Sequence, residues 1–176
     1  RAMALLLLAL PGAVFIYTGA ELGLPNVDLP DEVLQDPVWR RSGGAERGRD
    51  GCRVPMPWSG DTPPFGFSTT PDTWLPMPSQ WAGLTVQRQS GDPDSMLSLY
   101  RRALRLRHSR AEFAGSGVYW LDHGRDAVVF RRDGGLICAL NTGPDPLPLP
   151  AGTVLLASAP VTDGALPPNT AAWVSG

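Results

Sequence analysis

The sequence contains no lysine; all fifteen cationic side chains are arginine. This reads as a compositional bias of the source rather than as chemistry. Against seventeen acidic residues the formal net charge is −2. That balance supplies no field for nucleic acid, and no basic stripe provides one locally. Cysteine is equally scarce. Cys52 and Cys138 are the two present, and they form neither a CxxC pair nor a ligand cluster. A disulfide framework is therefore not expected, and a reducing, cytoplasmic compartment fits. The two histidines, His108 and His123, fall in a basic helical stretch and in a turn, where both read as ordinary surface residues. There is no Gly-rich phosphate loop, no G-x-S-x-G and no metal-ligand spacing. No cluster of residues makes a hydrolase by itself, and no cofactor is expected.

What the sequence does have is an opening apolar run, RAMALLLLALPGAVFIYTGAELGL, uncharged for the nineteen residues from Ala2 to Ala20. A membrane-spanning helix needs ~20 predominantly apolar residues. Pro11 and Gly12 interrupt this one near its middle, at a helix cost of about 3 kcal/mol for the proline. The composition also changes there. Before Pro11 stand the helix formers Ala, Leu and Met; after Gly12 comes AVFIYT, β-branched and aromatic. The run therefore reads as a buried helix, a Pro-Gly stop and a buried strand, apolar on both faces like a strand covered by helices. The alternative is a secretion signal, since Arg1 and the Leu run imitate its charged and apolar regions. The small-residue cleavage site it needs does not follow. No membrane association is expected.

Nineteen prolines and twenty glycines concentrate in residues 43–93 and 143–168, which read as loops. The segment 20–92 is a long loop. It carries Trp39, Trp58, Trp74 and Trp81, and disordered segments are poor in aromatics, so order is expected. Residues 93–110, PDSMLSLYRRALRLRHSR, predict the clearest helix, with Asp92 as cap and Pro93 at its first position. Met96, Leu99, Tyr100, Ala103 and Leu104 follow helical spacing, so one face is apolar. The basic run from Arg101 to Arg110 reads as a solvated face with cations suited to the helix C-terminus. From residue 115 the period becomes two. GVYWL, AVVFRR, LICALN, TVLLAS and AAWV, separated by Gly, Asp and Pro turns, predict a small antiparallel sheet or sandwich.

The densest polar stretch is GRDGCRVPMPW, residues 48–58, in the loop after the expected strand. In α/β folds such loops build the active site. Arg49 and Arg53 stand four apart with Asp50 between them. An arginine fork donates paired hydrogen bonds to adjacent oxygens of a carboxylate or a sugar diol, and Trp58 can stack on an apolar sugar face. The structural alternative is an ion pair of Asp50 with Arg49 or Arg53.

LPGAVFIYTGAELGLPNVDLPDE, QDPVW, GRDGCRVPMPW, PFGFS, LYRRALRLR and LPPNTAAW together resemble the C-terminal part of α-glucosidases of glycoside hydrolase family 13, the α-amylase superfamily, of the actinobacterial kind. The similarity runs from about residue 2 to 174. It implies an α/β plus all-β chain: the last elements of a TIM (β/α)8 barrel followed by a C-terminal antiparallel β-sandwich. Residues 1–112 would be the C-terminal part of the catalytic barrel, with helix 7 over 1–10, strand 8 over 13–18, the loop 20–92 and helix 8 over 93–110. Residues 113–176 would be the C-terminal β-domain.

The family's retaining mechanism uses a carboxylate nucleophile and a carboxylic acid ~5 Å apart. In the family these and a third carboxylate lie on barrel strands four, five and seven. They are thus expected upstream of Arg1, with no catalytic residue in this chain. Glu21, Asp28, Asp31, Glu32 and Asp36 match the family's loop, not its catalytic centre. The chain is expected to be an inactive fragment by itself. Its expected partners are the missing N-terminal barrel part and an α-linked gluco-oligosaccharide. Without neighbours for strand 8, residues 1–110 are expected to be poorly stable alone.

One substrate contact carries over. In the family an Arg of the R-D-x-x-R-x-P-M motif hydrogen-bonds the non-reducing-end glucose and pairs with an upstream Asp. The matching position is Arg53, with Arg49 second. YTGAELG departs from the usual YQGEELG at Thr18 and Ala20. Many family members bind calcium through upstream residues, and no calcium site is expected here. Two further readings stand beside this one: a transglycosylase such as trehalose synthase, and a carbohydrate-binding β-domain with a helical leader. The last needs aromatics on one sheet face, whereas Tyr119 and Trp120 alternate.

Overall fold

Alternation of side chains builds the C-terminal third. β1 (Val118–Leu121), β2 (Ala127–Arg132), β3 (Leu136–Asn141), β5 (Thr153–Ala157) and β7 (Thr170–Ser175) form one antiparallel sheet in the order β1-β2-β3-β7-β5. β4 (Leu147–Pro148) and β6 (Ala165–Leu166) pair separately as a two-stranded ribbon. In this computed structural model, which describes residues 1–176, the sheet belongs to one of two compact units. That unit comprises residues 1–15 and 99–176; the other comprises 16–98.

In the first unit, the two faces of the sheet are covered by different elements. On one face Val129, Ile137, Ala139, Ala172 and Val174 pack with Leu166 of β6, and Leu147 of β4 joins at the margin. On the other face, helix α1 (Ala2–Ala9) lies against β3 and β7. There the Trp173 indole N–H donates to the Leu5 carbonyl at 3.0 Å, and its ring meets Phe113 edge-on at 4.9 Å. Covered on both faces, all six residues of β3 are buried. The β-unit is thus one sheet between a helix and a small ribbon, rather than two sheets of similar size.

α1 ends without a glycine cap or a basic residue in its last turn. Instead Arg107 donates to the carbonyls of Leu8, Leu10 and Gly12, and Arg132 to that of Ala9. These guanidinium groups satisfy carbonyls that a helix end leaves unpaired.

The expected strand over 13–18 does not form. Residues 13–17 have no secondary structure, and Phe15 is 93% exposed. A strand is defined by its ladder, and no neighbouring strand lies beside this segment. Nor is the apolar run buried throughout. α1 is apolar all round, burying Ala4, Leu5, Leu8 and Ala9 while exposing Met3 and Leu7. No helix is long and apolar enough to cross a membrane.

The second unit is loop-rich and ordered, as its tryptophan content implied. Leu29, Leu34, Val54, Phe65, Leu75, Met77 and Trp81 form its core, and Trp39 packs at the edge. Trp58 and Trp74 are exposed. Two short helices punctuate it. α2 (Pro37–Arg41) starts with the Asp36 side chain accepting from Val38 N and a proline at its first position. α3 (Val86–Ser90) starts with Thr85 accepting from Arg88 N. The buried Gln89 amide donates to the Leu22 and Leu84 carbonyls and accepts from Leu97 N.

α4 (Met96–Ser109) is the helix expected over 93–110. It begins three residues late. Asp92 accepts from Asp94 N, within its own turn, and Ser95 takes the cap by accepting from Ser98 N. Leu99, Tyr100 and Ala103 are buried, while Arg101, Arg102, Arg105 and His108 are exposed. The basic run is a solvated face except at Arg107, which turns to the carbonyls at the end of α1.

Candidate functional site

Arg49 and Arg53 lie in the second unit, on either side of a short turn, Asp50–Cys52. What holds this turn is Asp50, 1% exposed. Its Oδ2 accepts the backbone N–H groups of Gln35 and Asp36 at 2.6 and 2.7 Å. That ties residues 50–53 to the start of α2. A second tie is steric. Gly51 O accepts from Val27 N, and a Cβ on Gly51 would collide with the Val27 carbonyl.

Asp36 is the other organising group. One carboxylate oxygen caps α2 through Val38 N at 3.0 Å. The other accepts Arg49 N at 3.0 Å and the Arg53 guanidinium at 2.8 Å. The Val38 and Arg49 N–H groups, with Arg53 adding its charge, hold the Asp36 carboxyl below the ordinary carboxylate range. Gly48 makes room for this: it sits at φ +74°, and a Cβ there would strike the Asp36 side chain. Arg53 also approaches Asp50, with Nη1 3.6 Å from Oδ1. Burial works to lower the Arg53 guanidinium, but Asp36, Asp50 and Tyr17 outweigh it and raise it.

The ion pairs of Asp36 and Asp50 therefore go to Arg53, not to Arg49. The structural pairing and the proposed binding role meet in the same residue. Arg53 is still 41% exposed at its side chain. With Arg49, Asp36, Val38, Glu46 and Gly48 it lines an open concavity of about 540 Å³. Arg49 is exposed and contributes its N–H to Asp36. Two guanidinium groups can donate to the vicinal hydroxyls of a sugar, and the carboxylate beside them can accept from one.

On the other side of the turn, Cys52 is exposed; its thiol donates to the Arg49 carbonyl at 3.1 Å, and its sulfur lies 3.8 Å from Tyr17 Oη. The contact with Cys52, together with burial, raises the Tyr17 hydroxyl. Tyr17, Thr18, Ala20, Asn26 and Cys52 line a smaller cavity of about 130 Å³ floored by Val54 and Trp81. The positions that depart from YQGEELG, Thr18 and Ala20, thus share a cavity wall.

Asp36 and Tyr17 were not singled out from the sequence as site residues. The Asp-Pro pair at 36–37 is a helix-start signal, but nothing local links position 36 to 50 or 53. The two histidines are exposed and far from any such cluster in chain position. No group of three or more His, Cys, Asp or Glu side chains is placed to hold a metal ion.

Residues 1–115 match the α-amylase catalytic-domain family. The chain belongs to the α-amylase family. Its relatives include glycosidases of family 13. It is 37% identical over 145 residues to a probable α-glucosidase of Rhizobium meliloti, covering 80% of this chain and 26% of that one. It is 32% identical over 154 residues to an oligo-1,6-glucosidase of Heyndrickxia coagulans, covering 76% and 27%. The chain spans about a quarter of the length of these relatives. Among solved structures it is similar to an α-glucosyl transfer enzyme, XgtA, with TM-score 0.77 and 31% identity over 98% of this chain and 35% of that one. The trehalulose synthase MutB from Pseudomonas mesoacidophila MX-45 shares the fold, with TM-score 0.79 and 24% identity over 98% of this chain and 37% of MutB. This family membership extends over the turn and the concavity, both within residues 1–115.

Proposed function

We propose that this chain is the C-terminal part of a cytoplasmic, actinobacterial-type retaining α-glucosidase that removes single glucose units from the non-reducing end of α-linked gluco-oligosaccharides. Residues 1–112 would close its barrel and 113–176 would form its β-domain. The observation that carries the reading is the concavity built by Arg49, Arg53 and Asp36 on a locked turn, in a member of a glycosidase family. Arg53 and Arg49 donate to hydroxyls of the terminal glucose, and the fixed Asp36 keeps Arg53 in place while it does so.

Asp36 and Asp50 are not the reacting pair. Three of their four oxygens accept backbone N–H groups or Arg53, and the fourth, Asp50 Oδ1, is sealed away where no anomeric carbon can reach it. A nucleophile needs a free lone pair at the anomeric carbon, and an acid needs a proton to give. Both roles fall to carboxylates in the rest of the enzyme, and this chain alone is inactive.

The test is Arg53→Lys in the full-length enzyme, assayed on maltose and on 4-nitrophenyl α-glucoside. A charge-assisted hydrogen bond contributes about 1.5–3 kcal/mol. Losing the fork should therefore lower kcat/KM by about 10- to 100-fold on both substrates. Unchanged kcat/KM would sink the assignment.

The similarity to XgtA, at 31% identity, favours a second reading in which a sugar rather than water attacks the glucosyl intermediate, as in a trehalose synthase-like transglycosylase. Product analysis with maltose as donor and acceptor separates the two: glucose alone means hydrolysis, and new disaccharides or trisaccharides mean transfer.

A further inference from the structure

Asp50 carries an oxygen that the structure leaves unexplained. Oδ2 is fully used by Gln35 N and Asp36 N. Oδ1 is sealed from solvent and accepts no hydrogen bond. A buried carboxylate oxygen without a donor is costly and calls for a reason. The nearest charged donor is Arg53 Nη1, at 3.6 Å, beyond hydrogen-bond range. The same Nη1 is bonded to Asp36 Oδ2 at 2.8 Å. A shift of less than about 1 Å would bring it within range of both.

We propose that Asp50 is a positioning residue that offers Arg53 a second seat, which the guanidinium takes when a sugar occupies the concavity. This rests on the binding role proposed above for Arg53. The driving force is desolvation. In the open concavity, water reaches the half-exposed guanidinium and weakens its pull on Asp50. A bound glucose displaces that water, the effective dielectric falls, and both the attraction and the cost of an unpaired Oδ1 increase. Closing onto Asp50 aligns the fork while Asp36 retains its two backbone donors. Sugar binding and arginine orientation then reinforce each other.

Asp50→Asn separates this from simple loop anchoring. The side-chain carbonyl oxygen of asparagine can still accept Gln35 N and Asp36 N. The amide NH2 takes the place of Oδ1 and faces Arg53 donor to donor. In the full-length enzyme, D50N should raise KM for maltose and 4-nitrophenyl α-glucoside about tenfold, with kcat changed less than about threefold, because a grip used equally in ground and transition states has been lost. Because Asp50 acts through Arg53, D50N should add less than about a further twofold in the Arg53→Lys background. An unchanged KM, or full additivity of the two substitutions, overturns the proposal, even where the melting temperature falls. If Arg53→Lys itself is silent, the sugar-binding reading fails first; if it is impaired and D50N is not, only the second seat fails. Should D50N not accumulate, Asp36→Asn decides. With a second seat available, it should retain clearly more activity than Arg53→Lys. Equal losses in the two variants overturn the proposal.

Discussion

Replacing Trp173 with alanine should expose Cys138 to reagents and leave Cys52 as it was. Trp173 and Cys138 are cross-strand partners on β7 and β3, and both are fully buried. The indole fills the space between the sheet, Phe113 and α1. Removing a buried tryptophan ring costs about 3–5 kcal/mol. At about 1.4 kcal/mol per tenfold, the population of opened β-unit rises roughly a hundredfold to a few thousandfold. The thiols report this separately. Burial pushes the Cys138 thiol up to about 12. At pH 8 its thiolate fraction is then about 10⁻⁴, compared with about a quarter for an ordinary thiol. Native Cys138 is therefore doubly protected and reacts only through opening. Cys52 is exposed, in the other unit. With an aromatic disulfide reagent at pH 8, the wild-type chain should show one fast thiol and one very slow one. In W173A the slow phase should accelerate by the factor given and the fast phase should not move. A slow phase unchanged by the substitution would refute the packing role assigned to Trp173. Two fast thiols in the wild type would refute the burial of β3.

Two further expectations concern single positions. Gly51→Ala places a Cβ against the Val27 carbonyl and the Asn26 side chain, a backbone clash that cannot be relieved by turning a side chain. We expect a loss of about 1–3 kcal/mol, read as a melting temperature several degrees lower; an unchanged melt would show that residues 26–27 and 51 part freely. Acid should weaken the fold through Asp36 and Asp133. Asp133 accepts from the Gly117 and Ser116 N–H groups and from Tyr119 Oη, and these donors hold its carboxyl below the ordinary range. For a depressed carboxyl the stabilisation is present above the unfolded value near pH 4. It disappears as pH falls through the lower folded value. Melting temperature should therefore drop below about pH 4, and Asp133→Asn, which lowers it at pH 7, should flatten that acid limb. A limb of unchanged steepness in the variant would remove Asp133 from the account.

The strands were legible because their rule is local. Val128, Val129 and Phe130, or Ile137 to Leu140, are short apolar runs marked off by the Gly and Asp turns beside them. The ribbon strands Leu147–Pro148 and Ala165–Leu166 were not, since two residues carry no period. α4 was legible in extent but not at its start, because two caps competed. Asp92 spent its oxygen on Asp94 N, and Ser95 stood closer to the first full turn. The segment 13–18 shows the limit of propensity. AVFIYT has the composition of a strand, but a strand is a relation to a neighbour, and composition says nothing about whether one is there.

The candidate site divides along the same line. GRDGCRVPMPW announces itself because two arginine forks, two glycines and two prolines crowd into eleven residues. What makes the arginines usable comes from Asp36, fourteen residues before Asp50 and seventeen before Arg53. No period connects these positions; only the fold does, through one carboxylate that caps α2 and grips Arg53 at once. That dual use has a consequence for how the site can fail. A substitution that merely shifts the start of α2 must also shift Asp36, and with it the guanidinium. If the concavity binds sugar as proposed, stability of the short helix and affinity are coupled through a single side chain, and in the full-length enzyme a variant of Pro37, which does not line the concavity, should change KM as well as melting temperature.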